Sequence, residues 1–136
     1  MKKIAVLISG GGSNLQSIID SAKNGVLKGI AEVSLVISNN PDAFGLKRAE
    51  KENIKNIALN YKSMSKQDYD KQMFNALRDC NVDLVCMAGY LKKLPDIIVS
   101  QYQNKILNIH PALLPKFGGK GMYGHFVHEA VVKAKE

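Results

Sequence analysis

Residues 6–20 read VLISGGGSNLQSIID, and the period of the sequence changes in the middle of that stretch. Val6, Leu7 and Ile8 continue an unbroken apolar run, as a strand buried on both faces does. Leu15, Ile18, Ile19 and, just beyond, Ala22 recur at spacings of three and four, which is one face of a helix. Three glycines stand at the joint. Strand, glycine turn and helix in that order open a βαβ unit, so the chain is expected to build a parallel sheet.

The same alternation continues outward. Runs rich in Val and Ile recur at residues 3–9, 31–38, 54–59, 82–88 and 105–109. Further helical stripes lie between or after them: Tyr69, Met73, Ala76, Leu77 and Cys80, then Val127, Ala130, Val131 and Ala134. Continuous apolar strands separated by amphipathic helices predict an α/β fold, Rossmann-like, with a mostly parallel sheet and helices on both faces. No repeat, linker or low-complexity segment divides residues 1–136, which read as one domain. Ligands of such folds gather at the carboxyl ends of the strands. The loops there, over residues 10–14, 38–42, 60–66, 88–94 and 108–121, are expected to converge on one site.

The glycines have several possible uses. A dinucleotide site wants GxGxxG and an acid at the tip of the second strand. Here Leu15 stands where the third glycine belongs, and the second strand ends Ser38-Asn39-Asn40. A phosphate loop of the Walker type fails as well, since no Lys-Ser or Lys-Thr follows. Two readings stay open. Free amides and the positive end of a helix dipole at Ser13–Asn14 can hold a phosphate or carboxylate, or Ser13-x-x-Gln16 can form a capping box that merely closes the helix.

Near the other end, Asn108-Ile109-His110-Pro111-Ala112-Leu113-Leu114-Pro115 closes the last strand. Residues i and i+2 of a strand share a side, so Asn108 and His110 point together while Ile109 packs the other way. An amide donor beside an imidazole can hold an oxyanion and relay a proton. Pro111 and Pro115 restrict the backbone around that pair.

Composition narrows the partners. Nineteen Lys and Arg against twelve Asp and Glu give a formal charge of +7, but no more than two basic residues adjoin and there is no Trp. Base-stacking platforms are therefore not expected, nor is nucleic acid as a partner; small polyanionic substrates suit the charge better. No apolar run reaches the ~18 residues of a membrane span. The positive start runs into a glycine loop rather than a cleavage site, and the chain reads as cytoplasmic. Cys80 and Cys86 form no CxxC pair, and His125 with His128 lacks the pattern of a metal-binding helix, so neither a disulfide nor a metal is expected.

Gly-Gly-Gly-Ser-Asn-Leu-Gln, Ile-Ser-Asn-Asn followed by Ala-Phe-Gly-Leu, Ala-Gly-Tyr-Leu-Lys-Lys-Leu and Asn-Ile-His-Pro-Ala-Leu-Leu-Pro occur in this order along essentially the whole chain. In these motifs the sequence resembles the phosphoribosylglycinamide formyltransferases, within the folate-dependent formyltransferases. The resemblance implies transfer of a formyl group from 10-formyltetrahydrofolate, a co-substrate rather than a tightly bound cofactor, to the amine of glycinamide ribonucleotide in purine synthesis. It implies phosphate and ribonucleotide contacts at Gly12, Ser13, Asn14 and Gly89. It implies folate contacts at Lys66, Leu91, Lys92, Lys93, Leu94 and Asn108, and catalysis by His110 with Asn108. Ala112 stands where relatives often carry Ser, and Lys66 where they often carry Arg. The family's catalytic Asp falls on a later loop, after residue 136, and Asp83 and Asp96 are poor substitutes. The carboxyl-terminal part of the fold is therefore read as missing, and the 136-residue chain is expected to turn over slowly. Formyltetrahydrofolate deformylase, methionyl-tRNA formyltransferase and a non-catalytic ligand-binding fragment are the alternatives. Oligomeric state is not legible in the sequence.

Overall fold

The computed structural model describes residues 1–109. The expectations placed on His110, on the proline-flanked segment after it and on the stripe over 127–134 lie outside the described residues. Within them, strands and helices alternate: β1 (Lys2–Ile8), α1 (Ser13–Asn24), β2 (Ala31–Ser38), α2 (Phe44–Lys51), β3 (Asn56–Ala58), α3 (Lys66–Asp79), β4 (Leu84–Ala88), α4 (Asp96–Gln101) and β5 (Ile106–Ile109). The strands form one sheet in the order β3-β2-β1-β4-β5, and every pair in it is parallel. The expected α/β class is observed.

Period two along the strands splits the apolar residues between two cores. Ile4, Val6 and Ile8 of β1 pack with Leu15, Ile18 and Ile19 of α1 and Ala49 of α2. Ala5 and Leu7 face the other way, toward Tyr69, Met73 and Leu77 of α3 and Ile98 of α4. Both faces of the sheet are thus covered, which is why its strands read as continuous apolar runs. The β1–β2 register steps over Ser34, since Ile4 pairs with Val33 and Ala5 with Leu35. That bulge leaves the Ser34 hydroxyl buried and without a hydrogen-bond partner among the described residues.

Asparagine marks the helix ends. Asn53, Asn81 and Asn104, which follow α2, α3 and α4, take φ of 59°, 52° and 64°. That left-handed conformation releases the chain from a helix, and Asn tolerates it better than most residues. The chain then runs β1, β2, β3 toward one edge of the sheet and crosses to β4 and β5 on the other side of β1. Loops leaving β1 and β4 therefore part company, and the crevice between their carboxyl ends is where such sheets bind ligands.

Candidate active site at the carboxyl edge of the sheet

Gly12 is the N-cap of α1, with φ 77° and ψ 28°, and no side chain caps the helix. The Ser13–Gln16 capping box does not form. The Gln16 amide donates to the Gly12 carbonyl at 2.9 Å. Its side chain is taken by two other groups: Nε2 donates to Asp20 Oδ1 at 3.0 Å, and Oε1 accepts from Arg48 Nη1 at 3.3 Å. Among the described residues, the positive end of the helix has no side-chain acceptor.

The three glycines answer to different demands. A β-carbon on Gly12 would lie 2.8 Å from Gly45 Cα, and its left-handed φ already disfavours a side chain. Packing alone thus requires glycine there. Gly10 and Gly11 have ordinary φ, and β-carbons on them would meet nothing within 4 Å. Among the described residues, their missing side chains leave open space beside the turn instead. The loop is held from behind by α2: Gly45 N–H donates to the Gly10 carbonyl at 3.1 Å, and Arg48 Nε donates to the Gly11 carbonyl at 2.7 Å. Arg48 also lies 5.0 Å from the centroid of the Phe44 ring, so a guanidinium is fixed beside the uncapped amides.

Three of the expected loops, those over 38–42, 60–66 and 88–94, meet at Ser9, and the glycine loop is not part of the lining. The three enclose a cleft of about 390 Å³ whose lining includes Ser9, Asn39, Asp42, Asn60, Lys62 and Lys92. The Ser9 hydroxyl donates to Asn39 Oδ1 at 2.5 Å and accepts from the Leu91 amide at 2.8 Å. Lys92 Nζ sits 4.4 Å from the centroid of the Tyr61 ring, which stands edge-on to Tyr69 at 5.1 Å. Behind them, the Tyr69 and Tyr90 hydroxyls bond at 2.6 Å in a buried setting. Burial, with the Tyr69 hydrogen bond adding to it, pushes the Tyr90 phenol far above its ordinary value. Tyr69 is raised by burial too, partly offset by its bond to Tyr90.

The candidate residues divide accordingly. Gly89, with φ 75°, turns the chain out of β4 toward Tyr90. Leu91 is 82% exposed at the cleft rim, whereas Leu94, at 6%, packs into the core on the α3 side of the sheet. Lys93 is exposed. Lys66 is the first residue of α3 and spends its ammonium on Asp70 at 2.7 Å. That hydrogen bond and charge raise its pKa. Lys66 is not part of the cleft lining; Lys62 of the same loop is. Asn108 pairs in register with Met87. Its side chain is exposed, while Ile109 is buried with the α1-side core, so these two residues face opposite ways as expected, and His110 lies outside the described residues. Asp83 precedes β4 rather than lying inside it, and its Oδ2 accepts from the Lys3 amide at 2.8 Å. That is the opposite, amino edge of the sheet. Asp96 starts α4 and is exposed.

Ser9, Asn39, Asn60, Lys62 and Arg48 escaped the reading of the sequence. Their loops were legible, but a lone Ser, Asn or Lys in a polar loop carries no spacing signal, and Arg48 reads as one more charge on a helix.

Fold and site together define a doubly wound α/β domain with an anion-ready helix start beside a polar cleft. Residues 2–134 match the formyl transferase family, and the chain belongs to that family. It is similar to phosphoribosylglycinamide formyltransferase of Haemophilus influenzae, at 44% identity over 90% of this chain and 58% of the relative. The chloroplastic phosphoribosylglycinamide formyltransferase of Arabidopsis thaliana is 40% identical over 98% of this chain and 46% of the relative. Among solved structures, glycinamide ribonucleotide transformylase 1 of Geobacillus kaustophilus superposes with a TM-score of 0.76 at 34% identity, covering 95% of this chain and 68% of that one. The chain spans about half the length of these two curated relatives.

Proposed function

We propose that this chain carries the substrate-binding part of an enzyme that moves a formyl group from 10-formyltetrahydrofolate to the amine of glycinamide ribonucleotide, in purine synthesis. One observation carries the reading beyond family membership. Gly10 and Gly11 are bare of side chains although neither φ nor packing demands it, and they lie over an uncapped helix start. Such a start binds phosphate through its amides and dipole. We assign the ribonucleotide phosphate to Gly12, Ser13 and Asn14, with Gly89 at the seam between the substrates. The folate goes to the segment Leu91, Lys92, Lys93 and Leu94. Leu94 contributes through its backbone, since its side chain belongs to the core. Lys66 reaches the folate only by leaving Asp70.

In the reaction the amine nitrogen attacks the formyl carbon, and the carbonyl oxygen takes up negative charge. The bond from that carbon to the folate nitrogen then breaks. The amine loses one proton and the folate nitrogen gains one. The Asn108 amide, exposed at the end of β5, is the oxyanion donor, and His110 relays the proton. A reducing, cytoplasmic setting suits two free cysteines.

The test is formyl transfer measured in the 136-residue chain and in a version extended to the length of its relatives. The extended chain is expected to turn over, with the shorter chain much slower. Asn108→Ala should lower transfer by at least ~10²-fold, as loss of an oxyanion donor does. Near-normal turnover in the variant would remove Asn108 from the chemistry, and no turnover in the extended chain would overturn the whole reading.

A further inference from the structure

We infer that the Ser9 hydroxyl is a positioning residue that sets the folate-side backbone against the ribonucleotide-side loop. The inference rests on the substrate assignment above and assigns a role to a residue outside it. Ser9 ends the β1 run and directly precedes the glycine turn. Its hydroxyl has one proton to give and lone pairs to receive with. It gives the proton to Asn39 Oδ1 at 2.5 Å, which turns a lone pair toward the Leu91 N–H, 2.8 Å away. One oxygen therefore ties together the segments that leave β1, β2 and β4.

The tie matters most for Leu91. Its side chain is 82% exposed, so among the described residues packing does little to fix it, and the bond to Ser9 is the one that holds its amide. Gly89, two residues earlier, turns the chain with φ 75°. The segment is held at Tyr90 by burial and the bond to Tyr69 and at Lys92 by the Tyr61 ring, which leaves the Ser9 oxygen to fix the backbone at Leu91 between them. The glycine loop is anchored independently of the Ser9 hydroxyl: Gly45 N–H holds the Gly10 carbonyl, and Arg48 holds the Gly11 carbonyl. Removing the hydroxyl should therefore loosen one side of the site and spare the other. That asymmetry is the signature of positioning, because a general loss of fold would weaken both sides alike.

The experiment uses the 136-residue chain, with amide hydrogen exchange read by NMR and calorimetric titration of 10-formyltetrahydrofolate and of glycinamide ribonucleotide. Ser9→Ala is expected to speed exchange at Leu91 and to weaken folate binding by about tenfold, the equivalent of one hydrogen bond. Ribonucleotide affinity should stay within about twofold. Ser9→Thr, which keeps the hydroxyl, should restore the folate affinity. Faster exchange at Leu91 with unchanged folate affinity overturns the inference, as does an equal loss for both ligands or a failure of Thr to rescue. Should Ser9→Ala not fold, Asn39→Ala carries the test, since it leaves Ser9 in place but frees its hydroxyl to rotate. Folate affinity should then fall about threefold, a fraction of one hydrogen bond, and an unchanged value overturns the inference. Failure of the unsubstituted chain to bind either ligand would instead overturn the substrate assignment, before any variant is made.

Discussion

Gly45 and Gly11 lack side chains for opposite reasons. A β-carbon on Gly45 would run into Cδ1 of Ile8 and come within 3.3 Å of Gly12 Cα. Ile8 is fully buried, so its side chain must repack within the core to make room. Gly45→Ala should therefore cost about 1–3 kcal/mol of stability, as overpacking does, measurable as a lower urea midpoint at unchanged slope. Gly11→Ala should behave in the opposite way. With ordinary φ and nothing within 4 Å of the new methyl, stability should hold or rise by up to about 1 kcal/mol. Inorganic phosphate should nonetheless bind roughly tenfold more weakly, because a methyl stands where the anion approaches the amides. Unchanged phosphate affinity in this variant would leave the glycines as a turn and nothing more. Gly12 is the poorer probe, since any side chain there disturbs the turn and the anion site at once.

The helices differ in how well they end and in how well they can be read. Asn81 leaves α3 at φ 52°, a conformation that costs a residue with an ordinary β-carbon about 1–2 kcal/mol. Asn81→Ala should lower stability by about 1 kcal/mol and Asn81→Gly should not; equal losses in thermal melts would show that the Asn side chain, rather than the backbone, matters. The elements most legible in sequence were those that bury large side chains at a regular period. Leu15, Ile18 and Ile19 marked α1, and Tyr69, Met73 and Leu77 marked α3. By contrast, α2 turns only Gly45 and Ala49 fully inward, so close backbone approach replaces the apolar stripe that periodicity detects. The capping box misread Gln16 for a related reason. Ser13-x-x-Gln16 is a local pattern, but the Gln16 side chain is claimed by Asp20 and by Arg48 from another helix. Lys66 is likewise occupied by Asp70, one turn further along its own helix. The motifs marked the loops, and competition among side chains decided which residues reach the cleft.

At the scale of the molecule, two dry cores on either side of one sheet make alkali a specific threat. Cys86 lies on the α1 side of β4, 1% exposed, and burial pushes its thiol up to about 12. A raised value in the fold means that the native state keeps a proton the unfolded chain releases, so this contribution is intact below pH ~9 and fades as pH rises toward ~12. By pH 10.5 Cys86 should account for a loss of about 2 kcal/mol, and Cys86→Val should remove that part of the slope when urea midpoints are compared between pH 8 and 10.5. Parallel slopes would place the alkaline loss elsewhere, Tyr69, Tyr90 and Tyr102 being the other described groups whose values burial raises. The order of the strands has a consequence for how the chain comes to be folded at all. β1 leaves the ribosome before the other four described strands and is the middle one of the five. It finds β2 within one helix, but Val6 must wait for Cys86 before its other side is paired. Until then the nascent chain carries an apolar ribbon with an open edge, a species prone to stick to its neighbours. Chains arrested on the ribosome with only residues 1–80 emerged should be cleaved readily by protease, and chains arrested after β4 and β5 have emerged should resist. Protection already present at residue 80 would mean that β1 folds with one side bare.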